Sequence, residues 1–195
     1  MGQYHITIPQ NLALSLRDRF GLKYFVETGT HHGKTASWAA QHFKRVWTIE
    51  VDERFHREAK SLYGHLEKVA FVLGDSRVAL PTIIESLAIP TLFYLDAHWT
   101  PDLEIPRPDS GECPLLEELK LIHTHERAPM HVIVIDDARI FTDGVDEEVH
   151  TASDWPNWGQ ICVALLARKV YIEDDVIVGE PLSQLMPGGG FSETT

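Results

Sequence analysis

Acidic residues in this chain recur at one kind of place, the end of a short apolar run. Glu27 closes Tyr24–Glu27, Glu50 closes Val46–Glu50, Asp75 follows Val69–Leu73, Asp96 follows Thr91–Leu95, and Asp136-Asp137 follow Val132–Ile135. If those runs are parallel strands, their carboxyl ends share one edge of a sheet, where α/β folds bind ligands. Gly29 and Gly33 flank the loop after Glu27 in the spacing G-x-x-x-G, which is neither the dinucleotide fingerprint nor a P-loop; Gly33-Lys34-Thr35 only echoes the latter. Gly29 would let a ligand approach the backbone, and Gly33 would allow a tight turn into a helix whose free N–H groups can meet a carboxylate or phosphate. Glu50 stands 17 positions after Gly33, close to the spacing at which a carboxylate accepts hydrogen bonds from ribose hydroxyls, whereas Asp52 reads as a helix cap. Gly74-Asp75-Ser76 reads, taken alone, as another cap. Together the three ends describe a nucleoside pocket without a phosphate cradle.

The remaining two ends carry a different chemistry. Asp96 and the Asp136-Asp137 pair would repel one another unless a positive group stood between them. A hard divalent ion, Mg²⁺ rather than Zn²⁺ in a set without cysteine, is one solution; capping and an ion pair with Arg139 is the other. His98, two residues past Asp96, is the titratable group best placed to act as a general base, and packing beside the acids or donating to Asp136 is its alternative role. His31 and His32 lie in the first loop and read as solvated. Trp99 and Trp155 read as walls of a substrate pocket, and Trp158 as helix packing.

The elements that would position these residues follow from hydrophobic pattern. The apolar runs read as strands covered on both faces, alternating with helices over Lys34–Phe43, Glu53–Tyr63, Ser76–Leu87, Pro114–His125 and Trp158–Ala167. Trp99–Cys113, with Pro101, Pro106, Pro108 and Gly111, has too many prolines for a helix or central strand. Thr142–Trp155 reads as a polar loop, and Val170–Ile172 and Val176–Val178 as strands joined by a tight turn. The expectation is an α/β fold with a mostly parallel sheet, one domain over 1–181 and a mobile tail over 182–195.

Composition narrows the field. With 195 residues, 44% hydrophobic and 24% charged, the chain is neither disordered nor a small disulfide scaffold. Two cysteines offer no zinc spacing, and no apolar run reaches membrane-spanning length. No signal peptide is evident at the N-terminus, so a reducing cytoplasm is expected. A net charge of −12 argues against a nucleic-acid partner.

The order VETGTHHG, TIEVD, GDS and FYLDAHW resembles the class I S-adenosylmethionine-dependent methyltransferases over roughly residues 20–178. FYLDAHW and IVIDDARIF most resemble the divalent-metal-dependent small-molecule O-methyltransferases of the catechol and macrolide-sugar types. The resemblance implies a Rossmann-like fold, a seven-stranded sheet with a final antiparallel hairpin and helices on both faces. It places Glu27 and Gly29 at the methionine end of the cofactor, Glu50 on the ribose and Asp75 with Ser76 at the adenine. The implied cofactor set is completed by Thr28, Thr30, Gly33, Val51 and Asp96, with Asp96, Asp136 and Asp137 at the family's metal positions. The chain departs from the catechol pattern in having Ala97-His98-Trp99-Thr100 where that pattern has a lysine base, and Asp137 where it has asparagine. The implied activity is divalent-metal-assisted methylation of a hydroxyl on a small molecule, such as a sugar, phenol or natural product, with Asp96 and His98 catalytic. Rivals are a metal-dependent hydroxylase on the same sheet and a cofactor-binding module without turnover. The segments Trp99–Cys113 and Thr142–Trp155 are expected to set the acceptor.

Overall fold

A computed structural model of the protein describes residues 7–101 and 105–182. The mobile-tail expectation for 182–195 lies almost wholly outside them.

Seven strands form one sheet: β1 (Tyr24–Thr28), β2 (Arg45–Glu50), β3 (Val69–Leu73), β4 (Thr91–Leu95), β5 (Val132–Ile135), β6 (Arg168–Glu173) and β7 (Val176–Pro181). Their order is β3-β2-β1-β4-β5-β7-β6. β1 to β5 are parallel, and β7 runs antiparallel to both β5 and β6. The reversed final hairpin is the arrangement expected, with both its strands longer than the apolar runs alone suggested.

Strand alternation builds a core on each face. Phe25, Leu92, Tyr94, Val132, Val134, Val176 and Val178 pack with residues of α1 (Gln10–Phe20) and α2 (Lys34–His42). Val26, Phe93, Leu95, Ile133, Ile135 and Ile177 face α4 (Ser76–Glu85), α5 (Leu115–Thr124) and α7 (Trp158–Ala164). α3 (Glu53–Tyr63) is capped by Asp52, whose carboxylate accepts from the Arg54 and Phe55 amides at 2.9 and 3.0 Å, as its sequence position suggests.

Some boundaries differ from the sequence reading. α1 has no counterpart in that reading; its buried stripe is only Leu12, Ala13 and Leu16, too small to stand out in pattern. α4 stops at Glu85, where the Ser86 hydroxyl donates to the Ile83 carbonyl. α7 stops at Ala164 because the chain turns through Ala167 at φ 68°. A short α6 (Ala138–Asp143) begins directly after the acidic pair, and a 3₁₀ turn covers Ala152–Asp154 within the expected polar loop.

Register sets the site. Thr28 pairs with Leu95 and Leu95 with Ile135, so Gly29, Asp96 and Asp136 leave the sheet side by side. Succession runs outward in both directions from the β1–β4 pair, leaving a crevice at their carboxyl ends.

Candidate functional site

A cleft of about 220 Å³ opens in that crevice. Gly29, Glu50, Val51, Asp75, Ser76 and Asp96 of the expected cofactor set line it, together with His31, Arg77, His98, Trp99, Ile105 and Glu112.

Backbone contacts shape its first wall. Gly29 has φ 84°, and a Cβ there would lie 2.1 Å from the Asp96 carbonyl oxygen. The glycine is therefore demanded by the β4 backbone, before any ligand is considered. Gly33, at φ 73°, starts α2 with its α-carbon pressed toward α3; a Cβ would meet Ala59 at 3.0 Å and Tyr63 at 3.1 Å.

Glu50 is fixed on both oxygens. Oε2 accepts from the His31 amide at 2.8 Å and Oε1 from the Asp52 amide at 2.9 Å. Burial pushes its pKa up, against the lowering effect of those amides. Each oxygen retains acceptor capacity, and the side chain lines the cleft. Glu27, by contrast, is 1% exposed and does not line the cleft. Its Oε2 accepts from the Thr48 hydroxyl at 2.5 Å, and Thr48 meets the Thr30 hydroxyl at 2.5 Å. Burial raises the Glu27 pKa to about 8, so it is largely a neutral acid at pH 7. Thr28, Thr30 and Gly33 of the expected cofactor set likewise do not line the cleft.

The third strand end is built around an arginine that sequence reasoning passed over. Asp75 caps α4 through the Arg77 amide at 2.9 Å and also receives the Arg77 guanidinium. Hydrogen bonds from Arg77 hold the Asp75 pKa below the usual range. The same guanidinium donates to the Ser110 carbonyl at 2.9 Å and hydroxyl at 2.6 Å, tying the Pro-rich segment to the start of α4.

At the acidic end, Asp96 keeps 31% of its side chain open to the cleft yet is walled by protein, and burial followed by the charges of Asp136 and Asp137 pushes its pKa well up. Burial and the Asp137 charge raise Asp136 to about 6, against a hydrogen bond from Tyr94. Asp137 differs. Burial would raise it, but His98 and Arg139 outweigh that and hold it low. Its Oδ1 lies 2.8 Å from the Arg139 guanidinium and its Oδ2 3.2 Å from His98 Nε2. Arg139 also pairs with Asp175 in the β6–β7 turn. His98 is 8% exposed; its Nδ1 lies 3.7 Å from Asp96 and its ring 5.3 Å from that of Trp155.

The same arrangement bears on the three carboxylates at which the sequence suggests an ion. Both oxygens of Asp137 are already engaged, and among the described residues no three acidic, histidine or cysteine side chains converge to hold an ion. As the side chains stand, Asp96, Asp136 and Asp137 are not drawn together around one point, and the ion pair of Asp137 with Arg139, the alternative the sequence offered, is present.

The far wall comes from the first of the two segments expected to set the acceptor, through Trp99, Ile105, Pro108 and Glu112; no residue of Thr142–Trp155 lines the cleft, and Trp155 packs in the core behind it. Trp99 and Trp155 are largely buried, and Trp158 packs against the core. Glu112 joins the two segments: it accepts from Trp155 Nε1 at 2.8 Å, His150 Nδ1 at 2.8 Å and the Thr151 amide at 3.1 Å, and pairs with Arg107 at 3.1 Å. Burial alone would raise its pKa, but the Trp155 and His150 hydrogen bonds lead a set that lowers it. No spacing rule links Glu112 to partners some forty residues away. His32 pairs with Glu58 at the surface, in keeping with a solvated loop.

The sheet order, the reversed β7 and the cleft between β1 and β4 define the fold of the class I S-adenosylmethionine-dependent methyltransferases. Solved structures agree. The O-methyltransferase from Bacillus cereus in complex with S-adenosylhomocysteine matches 91% of this chain and 82% of its own at TM-score 0.60 and 16% identity. The O-methyltransferase TomG of Streptomyces achromogenes, involved in tomaymycin synthesis and solved with S-adenosylmethionine, matches 89% and 79% at TM-score 0.57 and 21% identity. The Podospora anserina methyltransferase PaMTH1, bound to S-adenosylhomocysteine, matches 89% and 78% at TM-score 0.56 and 18% identity. No family model and no curated protein matches the sequence. No helix among the described residues is long and apolar enough to cross a membrane.

Proposed function

We propose that the protein binds S-adenosylmethionine in the β1–β4 cleft and transfers its methyl group to a hydroxyl of a small molecule. The observation that carries this reading is Glu50: a buried carboxylate oriented by two backbone amides, facing a cleft at the point where strand order reverses, beside a loop without a phosphate cradle. Such a carboxylate suits the adjacent hydroxyls of a ribose. Three structural neighbours, each described as a methyltransferase and solved with the cofactor or its product, support the same reading.

The sulfonium already activates the methyl carbon, so the protein's work is alignment and proton management. Asp137 accepts from His98 Nε2–H, which leaves Nδ1 as the basic nitrogen on the side of Asp96. In this reading His98 takes the acceptor proton at Nδ1 as oxygen attacks carbon, and Asp137 with Arg139 holds the ring in place. Trp99 shapes the acceptor wall and favours a flat or apolar acceptor face, while Trp155 packs behind His98.

Calorimetric titration with S-adenosylmethionine, followed by a methyl-transfer assay on phenols, catechols and sugars, tests the proposal. Saturable binding with turnover is expected. Absence of binding would overturn it, and binding without turnover on any acceptor would favour the binding-module reading.

A further inference from the structure

Glu118 is a buried carboxyl that the chemistry above leaves unused. It stands in α5 within the stripe Leu115, Glu118, Leu119 and Ile122 that faces the sheet, and is 1% exposed. An acid in such a stripe is costly unless a positive or hydrogen-bonding group meets it. The Ser76 and Thr28 hydroxyls hydrogen-bond to its carboxyl, yet its Oε1 has no hydrogen-bond partner among the described residues. Its charged neighbours include Asp75, Arg77 and Asp96, all of which line the cleft. Arg77 is committed to Asp75 and Ser110. Beyond burial, the groups acting most strongly on the adjoining Asp96 are all carboxyls: Asp136, Asp137, Glu27 and Glu118. Glu118 thus lies beneath the cleft floor, in surroundings short of positive charge.

We infer that Glu118 makes the cofactor cleft selective for charge, favouring the sulfonium of S-adenosylmethionine over the neutral thioether of its product. The inference rests on the cofactor reading above. In the transfer, an oxygen–carbon bond forms and the sulfur–carbon bond breaks with its electron pair left on sulfur. The hydroxyl proton passes to a base, and the cofactor loses one unit of positive charge. A carboxylate under the floor therefore holds the reactant more tightly than the product and promotes exchange of spent cofactor for fresh. Direct contact is not required, because charges act across several ångströms where water is excluded. Burial raises the Glu118 pKa to about 7, so the carboxylate form prevails in weakly alkaline solution.

The test is calorimetry at pH 8 with S-adenosylmethionine, S-adenosylhomocysteine and sinefungin, which carries an amine in place of the methylated sulfonium. The wild type is expected to bind the two cationic ligands about tenfold more tightly than the thioether, and Glu118→Gln to shrink that ratio to about two- to threefold. Circular dichroism checks folding; should glutamine prevent it, Glu118→Met supplies an apolar side chain of similar length. A wild-type ratio near one, or a ratio the substitution leaves unchanged, overturns the inference and leaves the cofactor reading intact. Failure of all three ligands to bind overturns that reading and the inference with it.

Discussion

The two halves of the cleft are held by different kinds of bond. On the cofactor side, backbone does the positioning: Glu50 is oriented by two amides, Gly29 is wedged against the Asp96 carbonyl, and Asp75 caps a helix. On the acceptor side the ties are between side chains of distant segments, above all Glu112 with Trp155, His150 and Arg107. Backbone ties follow from strand register, so the first half is as rigid as the sheet. The second half depends on loops whose side chains can change without disturbing the strands, which suits a wall that sets the acceptor.

The largest expected effect is in the first half. Gly29→Val puts a side chain into the Asp96 carbonyl at a backbone angle that disfavours one. Loss of more than about 3 kcal/mol of stability, or failure to fold, is expected in denaturant unfolding. A stable, folded variant would show that the two strand exits can separate. Next, Glu50→Ala should weaken S-adenosylmethionine binding about 10- to 100-fold by calorimetry, the worth of a charge-assisted contact. Unchanged affinity would remove Glu50 from the ribose site.

Glu112→Ala sharpens the contrast. It strips the buried partner from Trp155, His150 and Arg107, and a fall of about 1–3 kcal/mol in unfolding free energy is expected. Cofactor affinity should stay within about threefold if the halves are independent. A cofactor loss as large as that of Glu50→Ala would join the halves into one unit.

A subtler effect concerns pH. Glu27 titrates near 4.5 when unfolded and at about 8 in the fold, so the folded state binds more protons between those values. Its contribution to stability is present at low pH and is lost as pH rises from about 4.5 to 8. Glu27→Gln, which keeps an acceptor for Thr48, should flatten the dependence of Tm across that window; a slope identical to wild type would show that Glu27 is not the group responsible. The smallest effect is expected from Mg²⁺. Titration into the wild type should show no site tighter than about 1 mM. A tighter saturable site would mean that Asp137 releases Arg139 and His98 to bind the ion.

Legibility divided along the same line. The five parallel strands were readable as short apolar runs, most continuous in β4 and β5, which are buried on both faces, and their ends located Glu50, Asp75, Asp96 and the Asp136-Asp137 pair at one edge. What pattern could not supply was partnership. Asp137 reads from its position as a metal ligand or as an ion-pair partner of Arg139, and only the folded chain shows Arg139 and His98 together on its two oxygens. Glu118 was not singled out from the sequence, although its place three residues after Leu115 and one before Leu119 was the available signal. Glu27 was located at the right strand end, but its depth, behind the Thr48 and Thr30 hydroxyls, is a matter of tertiary packing.

The insertion of β7 between β5 and β6 has a consequence for the order in which a ribosome releases this chain. Every residue of the first four strand ends has emerged by Asp96, so the nucleoside side can assemble early. Val132–Ile135 emerges with one edge unpaired, and its antiparallel neighbour Val176–Pro181 follows only forty residues later. An open apolar edge is a template for pairing with other chains. The same wait applies to the Arg139–Asp175 tie that steadies Asp137. Between those two moments the nascent protein has its first four strands complete, an unfinished acid end and an open border, so the interval just before the last hairpin is when that edge is most available for pairing with other chains.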